Sequence, residues 1–168
     1  MKVFLSVGST YNELQEEFIK AFEVFLSQNG CERLTVGRGH YTSKQPVVEA
    51  RNLMQTADGV VVIAFTRQII EKAINEPGGL KENFINNRKL PTIWNQLEAA
   101  MAFGLGLPLL LIIEDGLYQE AMLNDYFGQI APLISDESEP LIPDESRPLF
   151  QRANGMIKVL IFFNFLFS

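Results

Sequence analysis

Cysteine and histidine are scarce in this chain, whose 168 residues include one of each, Cys31 and His40. A single cysteine excludes an intramolecular disulfide bond and any metal site built on several cysteines. A single histidine excludes the usual zinc sites with two or three histidine ligands. Ser-His-Asp catalysis would have to use His40, and no nucleophile elbow surrounds that residue. We therefore expect no metal site and no required cofactor.

Basic residues are also fewer than acidic ones. Lys and Arg number 14 against 20 Asp and Glu, so the formal net charge is -6. Binding to nucleic acid needs clustered Lys and Arg, so we expect no nucleic-acid partner. A small-molecule pocket with local positive charge is still compatible with this balance. With 47% hydrophobic and 20% charged residues, the composition is that of an ordinary folded protein, and the length fits one compact domain.

No apolar run is long enough to predict a membrane span. The segment from Met156 to Phe167 is almost wholly apolar, but it has only about 12 residues where roughly 20 are needed. We interpret it as a final buried strand or helix, or as a subunit interface, and we expect a homo-oligomer. The opening residues MKVFLSV show no signal-peptide cleavage site, so we expect a cytoplasmic location.

Apolar runs alternate with helical patterns along residues 1–134. The β-branched run Gly59–Phe65 is typical of a strand buried on both faces. Further strands are predicted at Lys2–Val7, Leu34–Val36, Leu107–Ile113 and Ile130–Ile134, and helices include one capped by Ser9 or Thr10, one at Thr66–Asn75, one at Thr92–Leu105 and one ending at Leu123. This alternation predicts an α/β domain with a parallel sheet of about five strands and helices on both faces.

Two segments are predicted to lie outside this regular pattern. The polar stretch from Glu76 to Lys89 is about 15 residues long, which is typical of a lid or binding loop. Residues 135–168 form an acidic, proline-containing linker and then the apolar C-terminal segment, which we expect to pack on the domain or on a partner subunit. Ligands of parallel α/β sheets bind beyond the carboxyl ends of the strands, which directs attention to that edge.

The segment from Pro91 to Ile113 contains a helix pattern, a Gly-Leu-Gly-Leu-Pro break and an apolar strand, with Glu98 in the early helical turns. Together with the stretches FLSVGS and TADGVVVIAF, it resembles the nucleoside 2-deoxyribosyltransferase family. That family has a helical glutamate before a roughly Ala-x-Ala-x-Gly-Lys-Pro element. Glu98 occupies the matching position and is followed by Ala100, Ala102, Gly104, Gly106 and Pro108. The family's Asp-x-Gly-Thr element is not matched, because Thr92-Ile93-Trp94-Asn95 stands there.

The same segment also resembles TIR domains, which have a tryptophan four residues before a helical glutamate, as Trp94 precedes Glu98 here. Asn95 stands where TIR domains usually have cysteine. Both families use flavodoxin-like (Rossmann-like) sheets, and in their active members the glutamate attacks or stabilises the anomeric carbon of a ribosyl unit. The resemblance covers about residues 1–125 and implies the same fold and a catalytic role for Glu98.

Cleavage of an N-glycosidic bond builds positive charge on the sugar, which a nearby carboxylate can stabilise or capture covalently. Glu98 is the candidate for that carboxylate. The candidate substrate-binding residues are Asn95 for ribose, Trp94 or Tyr41 as a platform for the base, and Ser6, Gly8 and Ser9 for ribose or phosphate. The expected partner is a small nucleoside or nucleotide, and NAD could serve as the substrate.

The sequence therefore predicts an enzyme that cleaves N-glycosidic bonds, either like a nucleoside 2-deoxyribosyltransferase or as a nucleotide or NAD glycohydrolase. The alternative is a non-catalytic TIR-like or nucleotide-sensing domain that acts by ligand binding and self-assembly. An interaction domain that assembles through the apolar C-terminal segment is a third reading. An FMN-binding domain is a fourth, but Val7–Asn12 only partly matches an FMN phosphate loop.

Overall fold

The computed structural model describes residues 1–36 and 45–124, and the backbones of two strands at 129–131 and 157–162. The described part is a mixed α/β fold. Its strands are β1 (Lys2–Val7), β2 (Glu32–Leu34), β3 (Gly59–Ala64), β4 (Gln68–Asn75), β5 (Asn83–Leu90), β6 (Leu109–Glu114), β7 (Gln129–Ala131) and β8 (Ile157–Phe162). Its α-helices are α1 (Glu13–Gln28), α2 (Pro46–Met54) and α3 (Ile93–Gly104).

The main sheet has the strand order β2-β1-β3-β6-β8-β7. The first four strands run parallel, which confirms the predicted parallel sheet for that part and is compatible with a Rossmann-like fold. The fifth strand, predicted at Ile130–Ile134, is not parallel. Its described part, β7, pairs antiparallel with β8, and β8 pairs antiparallel with β6. An antiparallel neighbour needs no crossover helix, so the pattern that predicts parallel strands does not determine the direction of the strands at this edge.

Helix α1 covers one face of the sheet. Its buried residues recur at helical spacing: Gln15, Phe18, Ile19, Phe22 and Leu26. They belong to one apolar cluster with the inward-facing sheet residues Val3, Leu5, Val61, Ile63 and Ile112. The predicted cap at Ser9 or Thr10 is wrong. Asn12 is the N-cap, because its Oδ1 accepts the Gln15 N–H at 2.9 Å.

Helices α2 and α3 cover the opposite face. Every second side chain of β1, β3 and β6 points towards these two helices. These side chains are Phe4, Val60, Val62, Leu109, Leu111 and Ile113. Ala50 and Met54 of α2 and Ala99 and Ala102 of α3 complete this second cluster. Strand β3 lies between the two clusters and is buried at every position, as its unbroken β-branched run predicts.

Strands β4 and β5 form a separate antiparallel hairpin between β3 and α3. The predicted helix at Thr66–Asn75 and the predicted lid loop at Glu76–Lys89 are therefore both wrong. The apolar residues of β4 also fit helical spacing, but they pair across the hairpin, with Ile74 opposite Phe84. Glu76 and Gly78, with φ of 50° and 77°, make the turn.

Helix α3 starts at the carboxyl edge of the sheet and leads back to the start of β6. Gly106, with φ of 67°, ends the helix before β6 begins. The helix predicted to end at Leu123 is wrong, because only one 3-10 turn forms there, at Ala121–Leu123. Gln96 of α3 holds this turn through its side chain, which accepts from the Met122 N–H and donates to the Glu120 carbonyl. Among the described residues, no helix is both long enough and apolar enough to span a membrane.

We expect Asn12→Ala to lower the free energy of unfolding by about 1 kcal/mol, because a backbone N–H of the first turn of α1 loses its capping oxygen. Urea unfolding measures this loss. Ser9→Ala is the matched control and should stay within about 0.5 kcal/mol of the original protein, because Ser9 is exposed. An equal loss in both variants would contradict the assignment of the cap.

Candidate functional site

The candidate site begins where the end of β1 meets the start of α3. Thr92 caps α3 by accepting the Trp94 N–H at 3.0 Å through its hydroxyl. The methyl group of Thr92 lies against Gly8, and a Cβ atom at Gly8 would approach that methyl carbon to 2.6 Å. Gly8 is thus needed for close packing between strand and helix. This contact brings the first turns of α3 to the carboxyl edge of the sheet.

The sheet-facing side of α3 carries two polar residues before its alanines. Asn95 is buried, with 1% of its surface exposed, and its amide donates to the carbonyl of Ile63 in β3 at 3.2 Å. Glu98 follows three residues later on the same side and keeps 9% exposure. Ser6, on β1, is buried and points to this face of the sheet, as Phe4 does, because side chains alternate along a strand.

Glu98 is the titratable group of this cluster. Burial raises the pKa of its carboxyl above the ordinary value. The Ser6 hydroxyl faces the carboxyl and opposes the shift in part, although its Oγ forms no hydrogen bond of ordinary geometry with any described residue. Asn95 Oδ1 is likewise buried with no hydrogen-bond partner in the described part of the chain. Ser6 Oγ and Asn95 Oδ1 are thus two buried oxygens of this cluster without a hydrogen bond of ordinary geometry among the described residues.

The other predicted site residues have different surroundings. Trp94 lies one turn before Glu98 on the adjoining side of α3 and is 43% exposed, so its indole is available at the surface. Ser9 is exposed beyond the end of β1. Tyr41 lies outside the described residues. The structure therefore brings together Ser6, Asn95 and Glu98, with Gly8 and Trp94 at the rim of the cluster.

A second polar cluster lies at the same edge, around Glu114, and its bonds to Thr66 and Gln15 were not predicted from the sequence. The carboxylate of Glu114, at the end of β6, accepts from the backbone N–H and the hydroxyl of Thr66 at 2.8 Å and 3.0 Å. It also accepts from the side-chain amide of Gln15 at 3.3 Å. Gln15, a polar residue at the first buried position of α1, was the sequence signal from which this cluster could have been predicted. These bonds tie the ends of β3 and β6 to α1, so Glu114 has a structural function.

The chemistry available to the Glu98 cluster follows from its groups. A carboxyl with a raised pKa keeps its proton to a higher pH than an ordinary glutamate does, and when ionised it can stabilise positive charge in a water-poor setting. Hydroxyl and amide oxygens beside it can accept hydrogen bonds from sugar hydroxyls. Among the described residues, no group of three or more His, Cys, Asp or Glu side chains is arranged to hold a metal ion.

Comparison with known proteins adds no relative: no protein-family model matches the chain, and no match to a curated protein was found.

We expect Gly8→Ala to lower the free energy of unfolding by about 1–3 kcal/mol, because the new methyl group overlaps that of Thr92. Thr92→Ser keeps the capping hydroxyl and removes the obstructing methyl group. The double variant should therefore recover most of the loss. Urea unfolding of the original protein, the two single variants and the double variant measures this recovery as a double-mutant cycle. Simple additivity of the two single losses would contradict this contact.

The raised pKa of Glu98 also predicts a pH dependence of stability. Above the ordinary value of 4.5 the unfolded chain ionises at this residue while the folded chain still holds the proton. The free energy of unfolding should fall as pH rises from 4.5 to the raised pKa, and this contribution becomes constant above it. Glu98→Gln removes the titration, so the variant should gain stability relative to the original protein across this window. Urea unfolding at a series of pH values tests this, and a relative loss would contradict it.

Proposed function

We propose that this protein cleaves the N-glycosidic bond of a nucleoside or nucleotide, with Glu98 as the catalytic carboxylate. The observation that carries the proposal is the grouping of Glu98 with the unpartnered oxygens of Ser6 and Asn95 at the carboxyl edge of the sheet. Leaving a buried polar atom without a partner costs about 1–3 kcal/mol. Such a cost needs a reason, and a ligand that supplies the missing partner is one.

The proposed ligand supplies those partners through its ribosyl hydroxyl groups. Asn95 Nδ2 donates to the Ile63 carbonyl, and Oδ1, which has no partner among the described residues, can accept from a hydroxyl. Ser6 Oγ can accept from a second hydroxyl or donate to the Glu98 carboxylate. Trp94, exposed one helical turn nearer the edge, is the side chain that contacts the base in this proposal. In this arrangement the anomeric carbon lies nearest Glu98.

The fold supports the proposal at a coarser level. The parallel strands follow the order β2-β1-β3-β6, as in flavodoxin-like sheets, and this is the fold that the two resembled families share.

The proposed mechanism begins with departure of the base as positive charge builds on the sugar. The ionised Glu98 stabilises that charge or bonds to the anomeric carbon, and water or an acceptor base then completes hydrolysis or transfer.

We expect Glu98→Gln to reduce turnover by about a thousandfold or more while leaving the fold intact, because the amide cannot stabilise or capture the cationic sugar. The assay is chromatographic analysis of products after incubation with NAD and with ribo- and deoxynucleosides plus a free acceptor base. Free nicotinamide would indicate an NAD glycohydrolase, and base exchange would indicate a transferase. Circular dichroism verifies the fold of each variant.

The matched control is Glu17→Gln, which alters an exposed carboxylate on helix α1 and should leave turnover unchanged. An equal loss in both variants would remove Glu98 from the mechanism. No product from any substrate, with thermal stabilisation by the same ligands, would replace the enzyme with the nucleotide-sensing alternative. Full activity of Glu98→Gln would contradict the proposal directly.

A further inference from the structure

Helix α3 carries no charge on its exposed side. Its one charged residue is Glu98, which is buried. The exposed positions of this helix are all apolar: Ile93, Trp94, Leu97, Ala100, Phe103 and Gly104. The exposed side of α1, in contrast, carries Glu13, Glu17 and Lys20. Because the exposed face of a helix is normally polar, an apolar one indicates that another surface covers it.

Four of these residues form a stripe along the middle of the exposed side. Ile93, Leu97, Ala100 and Gly104 follow one another at steps of four, three and four residues. This spacing keeps side chains in one row, as along the seam where two helices pack together. Trp94 lies beside the row on the side towards Glu98, and so borders both the stripe and the Glu98 cluster.

The order of sizes along the stripe makes it complementary to a reversed copy of itself. The large residues, Ile93 and Leu97, come first, and the small ones, Ala100 and Gly104, follow. The space in front of Gly104 is open, because no atom outside the local helix backbone lies within 4 Å of where its Cβ would be. In an antiparallel pair related by a two-fold axis, Ile93 faces Gly104 of the partner subunit, and Leu97 faces Ala100 of the partner subunit. A parallel pair would oppose large to large.

The exposed apolar area is sufficient for a small dimer interface. Ile93, Trp94, Leu97 and Phe103 expose 80%, 43%, 37% and 47% of their surfaces. Since a large apolar side chain presents about 150–250 Å² when fully exposed, these four offer about 300–500 Å². Two copies can therefore bury about 600–1,000 Å², to which Ala100 and Gly104 add, and specific interfaces begin near 1,000 Å². We expect a dimer that dissociates on dilution.

Charge also favours a second copy of this chain as the partner. The formal net charge is -6, so two copies repel each other wherever their carboxylates meet. From Leu90 to Ile113 the sequence contains one charged residue, the buried Glu98, so this face allows close approach without that repulsion. A partner selected for its own charge would find no group of opposite sign on the stripe.

We propose that this protein forms a two-fold homodimer in which the stripe of α3 packs antiparallel against the same stripe of a second copy. The interface lies on the outward side of the helix, whereas Glu98 faces the sheet. The proposal does not depend on the function proposed for Glu98.

The test is sedimentation velocity of the full chain over a dilution series, with circular dichroism to verify the fold of each variant. The original protein should pass from dimer to monomer on dilution. Leu97→Glu should raise the dissociation constant about a hundredfold or more, because each dimer would bury two carboxylates without partners. Ala100→Glu, at an exposed position of the same stripe, should have the same effect.

The matched control is Leu14→Glu, which makes the same change at a leucine of α1 that is 60% exposed. This variant should associate as the original protein does, because α1 lies on the opposite face of the sheet.

Disulfide cross-linking tests the antiparallel register. In a Cys31→Ser background, Ile93→Cys and Gly104→Cys are prepared as separate proteins, mixed and oxidised. The mixture should give a covalent dimer, because the two positions face each other across the interface. Either protein alone should not, because in an antiparallel pair the two copies of one position lie about 16 Å apart along the axis, beyond the roughly 7 Å reach of a disulfide.

Three outcomes would overturn the proposal. The first is an original protein that sediments as a monomer at every concentration, which would mean that a different molecule covers the stripe. The second is association that survives both glutamate substitutions on α3, which would place the interface elsewhere, for example at the apolar C-terminal segment. The third is cross-linking of Ile93→Cys alone as strong as that of the mixture, which would contradict the antiparallel pairing.

Discussion

The close packing of Gly8 against Thr92 positions everything else at the candidate site. Because Gly8 has no side chain, the capped end of α3 rests directly on the end of β1. A Cβ atom at position 8 would lie 2.6 Å from the methyl carbon of Thr92. The Asn95 amide then reaches the Ile63 carbonyl, and the next turn of the helix places Glu98 opposite Ser6. A larger residue at position 8 would move the helix, and the carboxyl with it.

The apolar packing around this contact provides the stability that a buried polar cluster requires. The central strands are buried on both faces, against α1 on one side and against α2 and α3 on the other. The Glu114 network then joins β3, β6 and α1 at the carboxyl edge. A rigid edge of this kind can hold a carboxyl and two unpartnered oxygens in fixed positions, as preorganised catalysis requires.

Features that depend on local sequence signals could be predicted, and features that depend on packing between distant segments could not. The strands at Lys2–Val7 and Gly59–Phe65 and the helix carrying Glu98 were predicted correctly, because burial and periodicity are local signals. The hairpin was missed because Ile69, Ile70 and Ile74 fit the spacing of a helix as well as that of a strand. Their partners lie on β5, whose polar sequence is typical of a loop. The burial of Asn95 and the unpaired Ser6 hydroxyl depend on packing between distant segments, which no single sequence pattern records.

Carbon-13 NMR of the glutamate carboxyl groups, with the Glu98 signal assigned by its loss in Glu98→Gln, tests the central claim most directly. The account predicts that this signal titrates with a pKa above that of an ordinary glutamate. It also predicts that the signal shifts when a nucleoside or nucleotide binds, because the proposed binding mode puts the sugar beside the carboxyl. An ordinary titration together with no response to any of these ligands would contradict the assignment of Glu98 as the centre of a ribosyl site.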